Sequence, residues 1–237
     1  MLNNNFSGLL LTSVLIVGLL SFFGLFPQFD LTVSGWFYDG QWLGKQGVLW
    51  MIRNVYYKVS VIVPLLFLGM LIVACFRETI VPRRVYGFFV ALSLVAPLGI
   101  VNAILKEYWG RARPNDVTNF GGDKIFTPAQ ILPVDQCDHN CSFVSGEGAG
   151  CFTLLLMALT MFGGSARRNI LICAVVLPMG FLRIAAGGHF LSDVLGSFLV
   201  VAFCFYALLM VMKMKPSDLR VGLSAVWGDV KSLVGKR

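Results

Sequence analysis

Residues 8–26 read GLLLTSVLIVGLLSFFGLF, a run without a single charge. A bilayer core about 30 Å thick takes roughly 20 apolar residues per helix, so this stretch has the length and character of a membrane span. Five more runs follow the same logic, at 59–76, 86–105, 143–162, 169–186 and 190–212. Between the third and fourth lies a long polar segment. The expected fold is therefore all-α, an integral membrane protein with six transmembrane helices. Composition agrees, since 57% of the 237 residues are apolar and 13% charged, against about 45–50% and 25% in soluble domains. That balance excludes disorder, a fibre or a small disulfide scaffold, and it is at odds with an ordinary soluble enzyme. The leading MLNNNF carries no Lys or Arg, and no small-residue cleavage site precedes Pro27. The first span is thus read as an uncleaved helix rather than a signal peptide. No internal repeat is visible, and residues 1–237 are read as one domain.

The net charge is +7, from 19 Lys and Arg against 12 Asp and Glu. With the N-terminus inside, the inner segments hold 11 basic residues, Lys236 and Arg237 among them, against the acids Glu78, Asp218 and Asp229. The outer segments hold eight basic residues against nine acids. This asymmetry places both termini in the cytoplasm and leaves no role for nucleic acid. After Pro216, apolar residues from Leu219 to Val234 recur at helical spacing with basic residues between them. They read as a helix on the anionic cytoplasmic face or as a loosely attached tail. Residues 27–57, rich in Trp and Tyr, read as an interfacial aromatic loop.

Three segments on the outer side carry polar residues that a bilayer does not require. They are Lys106 to Pro114 (KEYWGRARP), Ser145-Gly146-Glu147, and Arg183 to Asp193 (RIAAGGHFLSD). Lys106, Arg113 and Arg183 together would need an anion of several charges to complete them, and phosphate matches guanidinium forks. Ser145 and Gly146 open a helix, where backbone N–H groups favour anions. His189 and Asp193, four apart, share a helix face, so the carboxylate can orient the imidazole as nucleophile or base. Singly, each has a plainer reading: Lys106, Arg111 and Arg113 as snorkelling residues, Arg183 on a lipid headgroup, His189–Asp193 as a helix-start pair, and Ser145-Gly146 as packing residues. Together, at these spacings, they point to one site.

The order K-x6-R-P, S-G and R-x5-H-x3-D resembles the type 2 phosphatidic acid phosphatase family. The resemblance implies a six-helix bundle and a lipid phosphatase. His189 would form a phosphohistidine, Asp193 would hold its imidazole, and Lys106, Arg113, Arg183, Ser145 and Gly146 would bind the phosphate. No cofactor or metal is implied, and no required protein partner; the partners would be a lipid phosphate and membrane lipids. The site would face the periplasm from a bacterial inner membrane. Val144 and Leu182 stand where the family has Pro and Ser. Glu147 stands where a His protonates the leaving group, so Glu147 either takes over that role or pairs with a nearby Arg. The Ser-Gly-Glu variant resembles members acting on envelope lipids, including lipid A. Undecaprenyl pyrophosphate, a glycerophospholipid, transfer to a second lipid, and non-catalytic lipid binding stay open. Cys137 and Cys141, in the outer loop, could close a disulfide, stay free, or with His139 offer an incomplete zinc site. The other four cysteines, all in spans, read as small apolar residues.

Overall fold

In hydrocarbon every backbone polar group must be satisfied within its own segment, so each apolar run is driven to helix. The computed structural model describes residues 2–130 and 132–234; Lys236 and Arg237 lie outside them. Its helices are α1 (Leu2–Leu25), α2 (Gln28–Gly35), α3 (Gly47–Phe76), α4 (Arg83–Tyr108), α5 (Gly146–Phe162), α6 (Ala166–Ala185), α7 (Leu191–Val211) and α8 (Leu223–Val234). Short 3₁₀ turns punctuate the connections, and no β-strand occurs among the described residues. Five helices (α1, α3, α4, α6 and α7) are long and apolar enough to cross a membrane. The expected sixth, α5, is apolar but has 17 residues, about 26 Å at 1.5 Å per residue. It starts at Gly146, three residues later than its hydropathy suggests.

Two further boundaries move. The aromatic segment expected as a loop up to Tyr57 is helical from Gly47 onward. Arg53, Asn54 and Lys58 interrupt the hydropathy there but not the helix, because none of them breaks it and Arg53 finds a carboxylate partner described below. In α4, residues Leu94–Leu105 wind as a π-helix around Pro97, whose missing N–H removes one rung of the ordinary ladder.

The centre of the bundle is aromatic and aliphatic. Tyr86, Phe88, Phe89 and Leu92 of α4 meet Met157 and Met161 of α5 and Val201, Phe205 and Leu209 of α7. Phe88 and Phe205 meet edge to face at 5.4 Å. Lipid tails are as apolar as these side chains, so close fit rather than water exclusion holds the helices. Gly8 shows this: a Cβ there would sit 2.4 Å from the Tyr206 ring, so its absence lets α1 lie against α7. By contrast α3 exposes Val48, Trp50, Met51, Val55, Ile62, Leu65, Leu66 and Ile72. In water that face would be an aggregation hazard; in a bilayer it is the lipid surface.

The tail docks rather than frays. Asp229 of α8 is buried and accepts from the Ile80 and Val81 N–H groups at 2.6 and 3.0 Å and from the Tyr86 hydroxyl at 2.9 Å. Val226 and Val230 pack on the core, while Leu223 and Trp227 stay exposed. Asp229→Ala is expected to lower stability by about 3 kcal/mol, since three donors, two of them buried, lose their acceptor. Thermal unfolding in detergent checks this, and an unchanged midpoint would mean that the carboxylate does not hold α8.

Candidate active site

The end of the bundle opposite Asp229 gathers all three motif segments. The loop after α4 folds back on itself: Cys141 N–H donates to Lys106 O (2.8 Å), Ser142 N–H to Arg111 O (2.8 Å) and Gln136 N–H to Gly110 O (2.9 Å). Asn115 N–H reaches Gly187 O at 3.1 Å, and Ser145 N–H reaches Asp193 O at 3.1 Å. Main-chain bonds thus tie the residue that follows the first segment to the third, and the second segment to the third.

His189 is buried at the centre of this knot. Its Nδ1 lies 2.7 Å from the Ser142 carbonyl. A carbonyl only accepts, so Nδ1 carries the proton and the lone pair is left on Nε2. Burial pushes the imidazole pKa down to about 4, with the positive charges of Arg183 and Arg113 adding to the effect and Asp193 opposing it. The ring is neutral at ordinary pH, as a nucleophile must be. Here the sequence reading needs correction. Asp193 does not hold the ring directly, because its Oδ2 is 3.8 Å from Nδ1. Instead Ser142 bridges them, its carbonyl accepting from His189 and its hydroxyl donating to Asp193 Oδ2 at 2.5 Å.

Asp193 is saturated by other donors. Phe190 N–H gives to Oδ2 at 2.8 Å, and Arg111 Nη1 gives to Oδ1 at 2.5 Å. Arg111, expected to be peripheral, is 1% exposed. Its other donors reach Thr127 O (2.9 Å), Ser192 Oγ (2.8 Å) and Asp30 Oδ2 (2.8 Å). The Phe190 ring lies 4.5 Å from its guanidinium carbon. Burial works against the Arg111 charge, but the carboxylates of Asp193 and Asp30 together outweigh it, and its pKa is raised.

The cations surround this centre. Lys106 lies within electrostatic reach of Arg113, Arg183 and Glu147. Arg113 Nη2 donates to Asn140 O at 2.6 Å. Arg183 is buried, and its Nε–H has no acceptor among the described residues, which leaves a charged donor free for an anion. Gly188 makes room for it: a Cβ there would meet Arg183 Nη2 at 2.5 Å. Ser145 Oγ caps α5 by accepting from Gly148 N–H at 3.1 Å, and a side chain at Gly146 would collide with Asn102. Of the two readings open for Glu147, the structure draws the ion pair. Arg53 of α3 grips it with Nη2 at 2.5 Å and Nε at 3.0 Å, and Arg183 Nη1 stands 3.5 Å away. A carboxylate shared by two guanidiniums is poorly placed to carry a catalytic proton.

Cys137 and Cys141 are joined as a disulfide with Cα atoms 5.7 Å apart. His139, within that ring, pairs with Glu107 at 3.2 Å, and both cysteines of the zinc alternative are spent in the disulfide. Sequence reasoning missed Asp30, Arg53, Arg111, Ser142 and Ser192. Only Arg53 carried a usable signal, as an ionisable residue inside an apolar helix. An apolar cavity of about 420 Å³ runs between α3 and α4 to this end, lined by Val61, Leu65, Leu68, Leu94, Leu98 and Asn102 and finishing at Lys106, Gly146 and Glu147.

A family model of the PAP2 superfamily matches residues 86–217. The chain is 37% identical to a lipid A 4'-phosphatase of Francisella tularensis subsp. novicida over 73% of its length and 81% of the relative's. It is 34% identical to a lipid A 4'-phosphatase of Rhizobium leguminosarum, over 67% of this chain and 70% of that one. A Rhizobium etli protein of the same name is also 34% identical, over 67% of this chain and 63% of its own. No solved structure matches.

Proposed function

The chain belongs to the PAP2 superfamily, and from that membership we propose that it is a membrane phosphatase removing a phosphate group from lipid A. The observation that carries this reading is the cavity: an apolar channel that finishes on Lys106 and Gly146, beside Arg183 with its buried, unpartnered Nε–H. An amphiphile fits both halves, its tail along α3 and α4 and its phosphate among the cations. In this reading the site faces the periplasm from a bacterial inner membrane, with α5 as a sixth, short span, and the charge asymmetry of the segments supports that orientation.

His189 Nε2 attacks phosphorus, the N–P bond forms, and the bond from phosphorus to the lipid oxygen breaks, the departing alkoxide taking a proton from water. Lys106, Arg113 and Arg183, with Ser145 and the Gly146 N–H, balance charge on the equatorial oxygens. Water then attacks the phosphohistidine and frees phosphate. Glu147 acts as a brace that aims Arg183. Glu147→Gln is therefore expected to lose about 1 kcal/mol of transition-state stabilisation, roughly fivefold in rate, with the shape of the pH–rate profile unchanged. Loss of the basic limb of that profile would instead make Glu147 the proton donor.

The direct test incubates the purified protein in detergent with lipid A carrying both phosphates, with phosphatidic acid and a polyprenyl pyrophosphate in parallel. Mass spectrometry should find lipid A one phosphate lighter. Faster hydrolysis of either other lipid would reassign the substrate, and no phosphate release from any of the three would defeat the reading.

A further inference from the structure

Three fully buried charges stand behind His189 in a row. Asp30 and Asp193 are 0% exposed and Arg111 1%. Each nitrogen of the Arg111 guanidinium donates a hydrogen bond, and Ser192 ties the far side, its N–H giving to Asp30 Oδ1 at 2.9 Å and its hydroxyl to Asp30 Oδ2 at 2.5 Å. Removing three ions from water is expensive, and a buried pair seldom stabilises a fold more than apolar residues of the same volume would. Stability therefore gives no reason for the arrangement, whereas its geometry leads, through Ser142, to the nucleophile.

We propose that Asp30 and Arg111 are positioning residues, which hold Asp193 charged and in place behind His189 so that it can balance the phosphohistidine. This rests on the functional reading above. When Nε2 bonds to phosphorus while Nδ1 keeps its proton, the imidazole becomes a cation. The nearest compensating charge is Asp193, 3.8 Å from Nδ1. A lone buried carboxylate would take up a proton and lose that charge; Arg111 prevents this. Arg111 alone would cancel Asp193, and Asp30 restores the balance. With both carboxylates ionised the trio carries one net negative charge, equal and opposite to that of the phosphorylated ring; burial raises the Asp30 pKa, and the Arg111 charge beside it works against that rise. Asp30 lies on α2, outside all three motif segments, so α2 serves the chemistry without touching the substrate.

Orthovanadate and inorganic phosphate separate this role from a scaffolding one. Vanadate bonded to a histidine nitrogen copies the five-coordinate phosphorus and makes the ring cationic, whereas phosphate binds as a simple anion. Both affinities would be measured by calorimetry on the wild type, Asp30→Asn, Asp30→Glu and Ser192→Ala in detergent. Asp30→Asn is expected to weaken vanadate roughly 10- to 100-fold, as loss of an outer partner of a reactive group does, and to leave phosphate within about twofold. Asp30→Glu should recover most of the difference, and turnover should fall in step with vanadate while KM holds. Equal loss of both anions, or of neither, would overturn the proposal. If Asp30→Asn does not fold, Ser192→Ala decides by the same ratio. A wild type that binds neither anion would overturn the site itself; a wild type that binds both, beside variants with unchanged ratios, overturns only this inference.

Discussion

Alanine at position 189 is expected to abolish phosphate release, by about 10⁴-fold or more in kcat, as loss of a covalent nucleophile does elsewhere. The expectation is specific because the other nucleophilic groups described beside His189 are already engaged. Asp193 is closed off by Arg111, Ser142 and Phe190, and Ser145 Oγ is occupied in capping α5. Acid-labile protein-bound phosphate should vanish with the activity. The pH dependence follows from the same group. Only the neutral imidazole attacks, and burial holds its pKa at about 4. The acid limb of kcat/KM should therefore stay flat down to about pH 5 and fall tenfold per unit below about pH 4. An acid limb near the ordinary histidine value of about 6.5 would mean that the site is wetter than its geometry indicates. Residual turnover of His189→Ala above about one part in a thousand of wild type would remove the covalent mechanism.

The largest loss of stability is expected from Arg111→Ala, at about 3–5 kcal/mol, because it strands two buried carboxylates without a counter-charge. Asp30 and Asp193 would then have to take up protons or let water in. Arg113→Ala, two residues away, should change stability little, since Arg113 makes one bond to a loop carbonyl at the surface. Unfolding midpoints in detergent, read side by side, test the contrast. Adding Asp30→Asn to Arg111→Ala should recover part of the loss, because one stranded charge goes with its partner. Equal midpoints for Arg111→Ala and wild type would show that the trio is not charged as described.

Much of the site was legible because its chemistry sits in contiguous segments. Lys106, Arg113, Ser145, Gly146, Arg183, His189 and Asp193 all fall at one end of the bundle, as alternating span directions require. What was illegible depends on main chain or on distance. The partner of His189 is a carbonyl, and Ser142 has no side-chain signature that announces it. Arg111 and Asp30 stand 81 residues apart, and an arginine at the end of a span reads first as a snorkelling side chain. In α3, hydropathy fell at Arg53 through Lys58 while helix geometry continued, so the span was drawn too short. Of the two readings of the tail, the buried carboxylate of Asp229 removes the loosely attached one.

The cavity between α3 and α4 sets the concentration variable that governs the reaction. A substrate whose tail never leaves the apolar phase meets the protein by lateral diffusion, so occupancy follows its mole fraction in the membrane or micelle rather than its amount per volume of buffer. Diluting lipid A with inert detergent at constant bulk concentration should slow hydrolysis as though substrate had been withdrawn. The same partitioning applies to inhibitors. Each methylene added to a phosphate mimic contributes about 0.8 kcal/mol to its transfer into the bilayer, so its potency rises through local enrichment even when its contacts with the protein stay the same.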